Sequence, residues 1–236
     1  EKNGREISIV GQPELKATKI NVPSDPSSAA FPAVAALITK NSNIRLTNVC
    51  ANSLRFGLFE ILIKMGANIT INHCDTTGGE NIAHLEVKSS SLRGITVPAE
   101  IAPRMIDEYP ILAIAAAFAE GTTVMLGLKE LRVKESDRLS AIAKGLSASG
   151  VKVKETIDSL TVYGKGGSVK GGVLIEANMD HRIAMAFLVM GMASEKPIEI
   201  DDATTIQTSF PNFYELMLNI GCKLTKPSSA HKDETE

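Results

Sequence analysis

The order of secondary structure predicted along this 236-residue chain occurs three times. In each copy an apolar helix is followed by a strand, an amphipathic helix, a glycine and a further strand. The glycines lie in similar segments, which are Met65-Gly66-Ala67-Asn68-Ile69, Ser149-Gly150-Val151-Lys152-Val153 and Ile220-Gly221-Cys222-Lys223-Leu224. Glycine suits these positions because it readily adopts the left-handed conformation that ends a helix. We therefore predict one α/β domain built from three repeats.

The first helix of each copy is apolar on nearly every face. These helices are predicted at residues 29–38, 111–119 and 183–192. A helix without a polar face has to be buried, so we predict three helices at the centre of the domain. The longest apolar runs are far shorter than the roughly 20 residues that cross a membrane, and we predict no membrane association.

The remaining pattern divides the chain into three parts. Strands are predicted at residues 6–10, 19–22, 43–49, 67–72, 85–87, 122–126, 151–155, 160–163, 197–200 and 222–225, and second helices at 53–65, 137–148 and 211–220. Residues 1–18 begin in a strand pattern without Met, which suggests a piece of a longer protein. The repeat domain spans residues 19–225, and residues 226–236 form a polar tail rich in Ser and charge.

Composition restricts the possible functions. A formal charge of −2 and 4% aromatic residues give no electrostatic case for binding nucleic acid. The three cysteines, Cys50, Cys74 and Cys222, are far apart and lack metal-like spacing. They predict buried thiols in a reducing cytoplasm, and no metal site.

Two charged clusters lie at predicted helix starts, namely Lys134-Glu135-Ser136-Asp137-Arg138 and Asp180-His181-Arg182. Cations oppose the helix dipole there, so these Lys and Arg side chains are better explained by a bound anion. Ser136 and Asp180 are predicted helix N-caps. The alternative is a capped helix with a solvated charge run, in which His181 only makes structural hydrogen bonds.

A third helix start carries Asp107-Glu108-Tyr109-Pro110. Acidic residues at this end stabilise the helix dipole, which would be sufficient reason for them. The repeat, however, places Asp107 and Asp180 at equivalent helix starts. Carboxylates among cations can move protons on a bound anion, so the sequence predicts an enzyme that acts on small anions.

The same segments resemble the EPSP synthase family of enolpyruvyl transferases. The matching runs are Asp25-Pro26-Ser27-Ser28, Met105-Ile106-Asp107-Glu108-Tyr109-Pro110, Leu131-Arg132-Val133-Lys134-Glu135-Ser136-Asp137-Arg138-Leu139, Asp180-His181-Arg182-Ile183-Ala184-Met185 and Ser209-Phe210-Pro211. The resemblance implies a two-domain protein with an active site in the cleft between the domains. This chain would be the C-terminal domain, three βαβαββ repeats around buried helices in an inside-out α/β barrel. Residues 1–18 would be the closing strand of an otherwise absent N-terminal domain.

The resemblance also implies a reaction and its residues. Enzymes of the family transfer the enolpyruvyl group of phosphoenolpyruvate to the 5-hydroxyl of shikimate 3-phosphate, with no cofactor. By motif, Asp107 would be the base and Glu135 the proton donor. Lys134 would lie beside shikimate 3-phosphate, and Arg138 and Arg182 would clamp phosphoenolpyruvate. The implied partner is the missing N-terminal half, in a protein that is a monomer at full length and inactive as this fragment alone.

One position departs from the family pattern. Thr208 stands where many members carry Lys, three residues before the Pro of the Phe-Pro pair, so the chain has one cation fewer there. Two alternatives remain at this stage. One is the related transferase that modifies UDP-N-acetylglucosamine, and the other is a non-catalytic module that binds anions.

Overall fold

The computed structural model describes residues 1–225, apart from the side chains of Asp75 and Thr77. The predicted polar tail, residues 226–236, lies outside the described residues. The helices are α1 (Pro26–Ile38), α2 (Gly57–Lys64), α3 (Tyr109–Phe118), α4 (Arg138–Ala148), α5 (His181–Gly191), α6 (Ile206–Ser209) and α7 (Phe213–Asn219). Short 3₁₀ segments span Ala99–Arg104, Ile106–Glu108 and Lys129–Val133. Within the described residues, no helix is long and apolar enough to span a membrane.

Helices α1, α3 and α5 pack against one another at the centre of the domain. Every residue of α3 is buried, and α1 and α5 expose only a few positions. The predicted buried helices are therefore confirmed. Their small and aliphatic side chains, many of them Ala, allow three helices to approach closely without a polar face to solvate.

The strands lie around these helices in separate sheets. They are β1 (Lys2–Asn3), β2 (Glu6–Ile7), β3 (Asn43–Cys50), β4 (Asn68–Thr77), β5 (Glu80–Lys88), β6 (Thr96–Val97), β7 (Glu120–Met125), β8 (Lys152–Glu155), β9 (Leu160–Lys165), β10 (Leu174–Ile175) and β11 (Glu199–Ile200). The sheet orders are β1-β2, β3-β5-β4, β6-β7-β9-β8 and β10-β11. Only the β6-β7 and β10-β11 pairs are parallel. The α/β fold is as predicted, but the strands of residues 1–225 do not close into a barrel.

The third repeat differs from the first two at its end. Residues 222–225 were predicted to form a strand, and this prediction is wrong. In the second repeat the equivalent strand, β8, pairs with β9. The described chain has no counterpart of β9 after α7. Residues 222–225 therefore lack a neighbour to supply the hydrogen bonds that make a strand.

The first 23 residues also form less sheet than predicted. β1 and β2 form a hairpin whose strands are two residues long, so the strand predicted at 6–10 is shortened to Glu6–Ile7. Residues 8–23 contain no strand, so the strand predicted at 19–22 is absent. The first pairing after this hairpin is the isolated bridge between Ser24 and Val49. Ile9 and Val10 are exposed, and without a packed face such a segment gains too little to order as a strand. Its assignment to another domain stays a prediction.

Candidate functional site

Three helix starts meet at one end of the domain, and they carry the residues that the sequence analysis selected. Asp107 lies in the 3₁₀ segment just before α3, and the run from Lys134 to Arg138 leads into α4. Asp180 and Arg182 lie at the start of α5. The buried central helices bring these starts together, which is why Asp107 and Arg182 come into contact although they are 75 positions apart.

Arg138 is the centre of this group. Its Nε is 2.8 Å from Asp180 Oδ2, its Nη1 is 2.9 Å from Asp107 Oδ1, and its Nη2 is 2.5 Å from Glu135 Oε2. The side chain is only 1% exposed. Arg138 therefore uses every nitrogen of its guanidinium to hold three carboxylates, and its surface is closed to solvent.

The helix caps differ in part from the prediction. Asp180 caps α5 as predicted, because its Oδ1 accepts from Arg182 N at 3.0 Å. For α4 the cap is Asp137, which accepts from Ser140 N at 3.0 Å, so the prediction of Ser136 is wrong. Ser136 lies one residue too early to reach the first turn, and its hydroxyl donates instead to Asp180 Oδ2 at 3.0 Å.

Asp107 faces two further cations besides Arg138. Lys134 Nζ is 3.3 Å from Asp107 Oδ1, and Arg182 Nη2 is 3.9 Å from Asp107 Oδ2. Arg182 Nη1 also donates to the backbone carbonyl of Asp107 at 3.3 Å. Among residues 1–225 that is the one hydrogen bond of the Arg182 guanidinium, whose side chain is 17% exposed. Arg182 therefore keeps unused N–H donors on its guanidinium, whereas every guanidinium nitrogen of Arg138 is already paired.

The pKa values of the site carboxyls follow from these contacts. Burial alone would raise the pKa of Asp107, but the positive charges of Arg182, Lys134 and Arg138 outweigh it and lower the pKa below its usual value. Burial raises the pKa of the neighbouring Glu108. Burial lowers the pKa of the His181 imidazole, and Arg182 lowers it further. Among residues 1–225 the His181 imidazole makes no hydrogen bond, so the structural hydrogen-bonding role predicted for it is not borne out.

Glu135 is the most accessible carboxylate of the group, with half of its side chain exposed. It borders a cleft of about 600 Å³ between α4 and residues 174–178, whose wall also includes Ser136, Ser140 and Lys144. An accessible carboxyl beside a buried guanidinium can exchange a proton with a bound molecule. The geometry is therefore compatible with the predicted role of Glu135.

The site extends towards α1 through three residues for which the sequence analysis predicted no role, namely Asp25, Ser27 and Arg55. The Ser27 hydroxyl hydrogen-bonds to Glu108 Oε1, and Arg55 Nη2 donates to Ser27 Oγ at 2.9 Å. Arg55 also pairs with Asp25, which caps α1 by accepting from Ser28 N at 2.9 Å. The repeat could have indicated this region, because the start of α1 is equivalent to the starts of α3 and α5.

Thr208 lies in the short helix α6 and takes no part in these ion pairs. Its side chain is exposed, and its hydroxyl donates to the carbonyl of Thr205 at 2.7 Å. In the described residues, no group of three or more His, Cys, Asp or Glu side chains could hold a metal ion.

Comparison with known proteins identifies this arrangement. The sequence profile of the family described as "EPSP synthase (3-phosphoshikimate 1-carboxyvinyltransferase)" matches residues 1–217, which is most of the chain. The chain belongs to the EPSP synthase family. That match includes every residue of the charged cluster, from Asp107 to Arg182.

Curated relatives agree with this assignment. The chain is 57% identical, over 95% of its length, to the 3-phosphoshikimate 1-carboxyvinyltransferase of Paramagnetospirillum magneticum. It is 55% identical, over 97% of its length, to the protein of the same name from Methylorubrum populi. It covers 50% of each of these proteins, so the chain spans about half the length of the curated relatives it matches.

Solved structures support the fold. The EPSP synthase of Acinetobacter baumannii matches with a TM-score of 0.90 and 44% identity, over 94% of this chain and 52% of that one. The enolpyruvyl transferase NikO from Streptomyces tendae matches with a TM-score of 0.61 and 18% identity, over 84% of this chain and 43% of that one. At 18% identity the second similarity concerns the fold alone.

Proposed function

We propose that this chain, as half of a complete enzyme, transfers the enolpyruvyl group of phosphoenolpyruvate to the 5-hydroxyl of shikimate 3-phosphate. The observation that carries this proposal is the meeting of three cations and four carboxylates at the starts of α3, α4 and α5. Family membership and the shared name of the relatives support it. Both substrates are anions, and the cluster supplies positive charge and proton-transfer groups in one place.

Arg182 and Lys134 are the cations that we assign to substrate. Both are partly exposed, and Arg182 keeps unused donors in a planar fork that suits a carboxylate or phosphate. Arg138 is enclosed by its carboxylate partners. It can contact phosphoenolpyruvate only by exchanging one of them, and otherwise it acts by holding Asp107 and Glu135 in position.

The carboxylates move the protons. In the addition step, Asp107 takes the proton of the 5-hydroxyl while the hydroxyl oxygen bonds to C2 of phosphoenolpyruvate, and Glu135 protonates the C3 methylene. Elimination then returns a proton from the new methyl group to the Glu135 carboxylate as the C2–O bond to phosphate breaks, and the proton held by Asp107 passes to the departing phosphate. Asp107 has a low pKa without ligand, but bound anions neutralise the cations around it and make it a stronger base.

The proposal extends to cellular location and assembly. We propose a cytoplasmic protein that is a monomer at full length, with the missing half as its necessary partner. The thiols of Cys50, Cys74 and Cys222 are free, which supports the reducing location. None of the three is fully buried, and Cys74 is exposed, so the prediction of buried thiols is wrong.

The decisive experiment measures phosphate release from phosphoenolpyruvate and shikimate 3-phosphate, with this chain alone and with the missing N-terminal half added. We expect release only when both halves are present, because the proposed active site lies in the cleft between the two domains. The complete enzyme with Glu135→Gln should lose turnover by orders of magnitude while it still binds phosphoenolpyruvate.

Two results would contradict the proposal. One is no release by associated, folded halves. The other is release that depends on UDP-N-acetylglucosamine in place of shikimate 3-phosphate, which would assign the chain to the sugar-nucleotide branch. Binding of both substrates without turnover would instead indicate a non-catalytic module.

A further inference from the structure

Glu108 is a buried carboxyl beside the site that the proposed reaction does not use. Only 6% of the residue is exposed, and it lies next to Asp107 in the 3₁₀ segment before α3. Its Oε1 accepts a hydrogen bond from the hydroxyl of Ser27 and lies 3.8 Å from Arg182 Nη1. Glu108 therefore connects the start of α1 to the cation that we assign to substrate.

The groups around Glu108 come from every neighbouring element. Arg182 approaches from α5, Ser27 from the first turn of α1, and Arg55, bonded to Ser27, from the segment before α2. Asp107 adds a negative charge from the same segment as Glu108. Burial raises the pKa of Glu108, and the two arginines and the Ser27 hydroxyl only partly offset that effect.

We propose that Glu108 is a positioning residue that sets how much of the positive charge of Arg182 is available to an anionic substrate. When Glu108 is ionised, its carboxylate competes with the substrate for the Arg182 guanidinium and repels the incoming anion. When Glu108 is protonated, it keeps its contact with Ser27 while the full charge of Arg182 faces the site. The Asp107 carbonyl, which Arg182 also contacts, fixes the guanidinium in both states.

This inference rests on the proposed function, because it takes Arg182 as a ligand of phosphoenolpyruvate. The test compares the KM for phosphoenolpyruvate of the complete enzyme with that of its Glu108→Gln variant, from about pH 5 to about pH 9. Gln keeps the size and the acceptor of Glu108 but never carries its charge. Because both enzymes use the same substrate, the titration of phosphoenolpyruvate itself cancels in the ratio of the two KM values.

We expect the ratio of wild-type to Glu108→Gln KM to be near one at low pH and to rise to roughly fivefold as Glu108 ionises, with a much smaller change in kcat. Glu108→Asp, which restores the charge, should retain a pH-dependent ratio. Glu100→Gln is the matched control, since Glu100 is an exposed residue of the adjacent 3₁₀ segment, and its ratio should stay at one.

A ratio that does not vary with pH would overturn the role of Glu108, because a purely structural effect acts equally at every pH. A second readout is independent of turnover, namely the titration of the Glu108 carboxyl carbon by NMR. Bound phosphoenolpyruvate should raise its pKa, by reciprocity between the two sites. An enzyme with no turnover would contradict the proposed function, whereas turnover with a constant ratio would contradict only this inference.

Discussion

Arg138 gives one guanidinium to three carboxylates from separate parts of the chain. Of these, Asp180 is fully buried, so its charge depends on Arg138 for compensation.

We expect Arg138→Met to lower the free energy of unfolding by about 3 kcal/mol or more, because it leaves a buried charge unpaired. Urea titration would measure this loss. The control Arg45→Met changes an exposed arginine of β3 and should stay within about 0.5 kcal/mol. A loss at Arg138 no larger than the control's would contradict the proposed dependence.

Asp107 and Glu108 are neighbours whose carboxyl pKa values move in opposite directions. The pKa of Asp107 is lowered from 3.8 in the folded state. The contribution of Asp107 to the free energy of unfolding is therefore present above pH 3.8 and is lost as pH falls through the lower, folded-state pKa. The pKa of Glu108 is raised from 4.5, so its contribution is present below that value and is lost as pH rises through the higher one.

Urea unfolding measured between about pH 3 and about pH 7 tests the predicted direction of the pH dependence for both carboxyls. The stability difference between wild type and Asp107→Asn should increase with pH, because the salt-bridged state needs the ionised carboxylate. The difference between wild type and Glu108→Gln should decrease with pH over the range above 4.5. Parallel slopes for the two variants would contradict the opposite environments of these carboxyls.

Among the elements, β9 lies unusually close to the end of α3. A Cβ placed on Gly164 of β9 would lie 2.1 Å from the carbonyl oxygen of Ala119 and 2.5 Å from that of Ala116. Both atoms belong to backbone, which cannot rotate away as a side chain could. The strand therefore needs Gly here to pack against the buried helix.

We expect Gly164→Ala to destabilise the fold by about 2 kcal/mol or more, because β9 would have to move away from α3. Lys165→Ala, one residue further along β9 at an exposed position, is the matched control and should have little effect. Thermal unfolding of both variants measures the difference. If the Gly164→Ala variant were as stable as the control, the strand would have room to shift and the expected clash would be refuted.

The sequence was informative about elements that are buried on all sides and less so about elements that depend on a neighbour. The apolar runs predicted α1, α3 and α5 because burial is visible in composition. The strand predicted at residues 222–225 failed because strand formation depends on a partner, and the described chain supplies none beside it. The second helix of the first repeat begins at Gly57 and not at residue 53, since the preceding residues form turns.

For the whole molecule, the threefold repeat and the ordered motifs predicted both the α/β fold and the family, and these are confirmed. The resemblance to the family also implied that Asp107, Arg138 and Arg182 share one site. It could not predict which cation pairs with which carboxylate, because that depends on how three helix starts face each other. The enclosure of Arg138 and the link from Glu108 to Ser27 are properties of that packing.

The arrangement around Arg138 also affects how sequence variants of this domain combine. The Arg138 guanidinium bonds to all three of Asp107, Glu135 and Asp180. Removing one of these carboxylates therefore alters how the guanidinium is held and how it contacts the other two. Substitutions at two of these positions should therefore have effects that do not sum, and double-mutant cycles should give coupling energies of about 0.5–3 kcal/mol. During divergence, a change at one of the three acids alters which changes the other two tolerate, so the three positions are expected to evolve as a group.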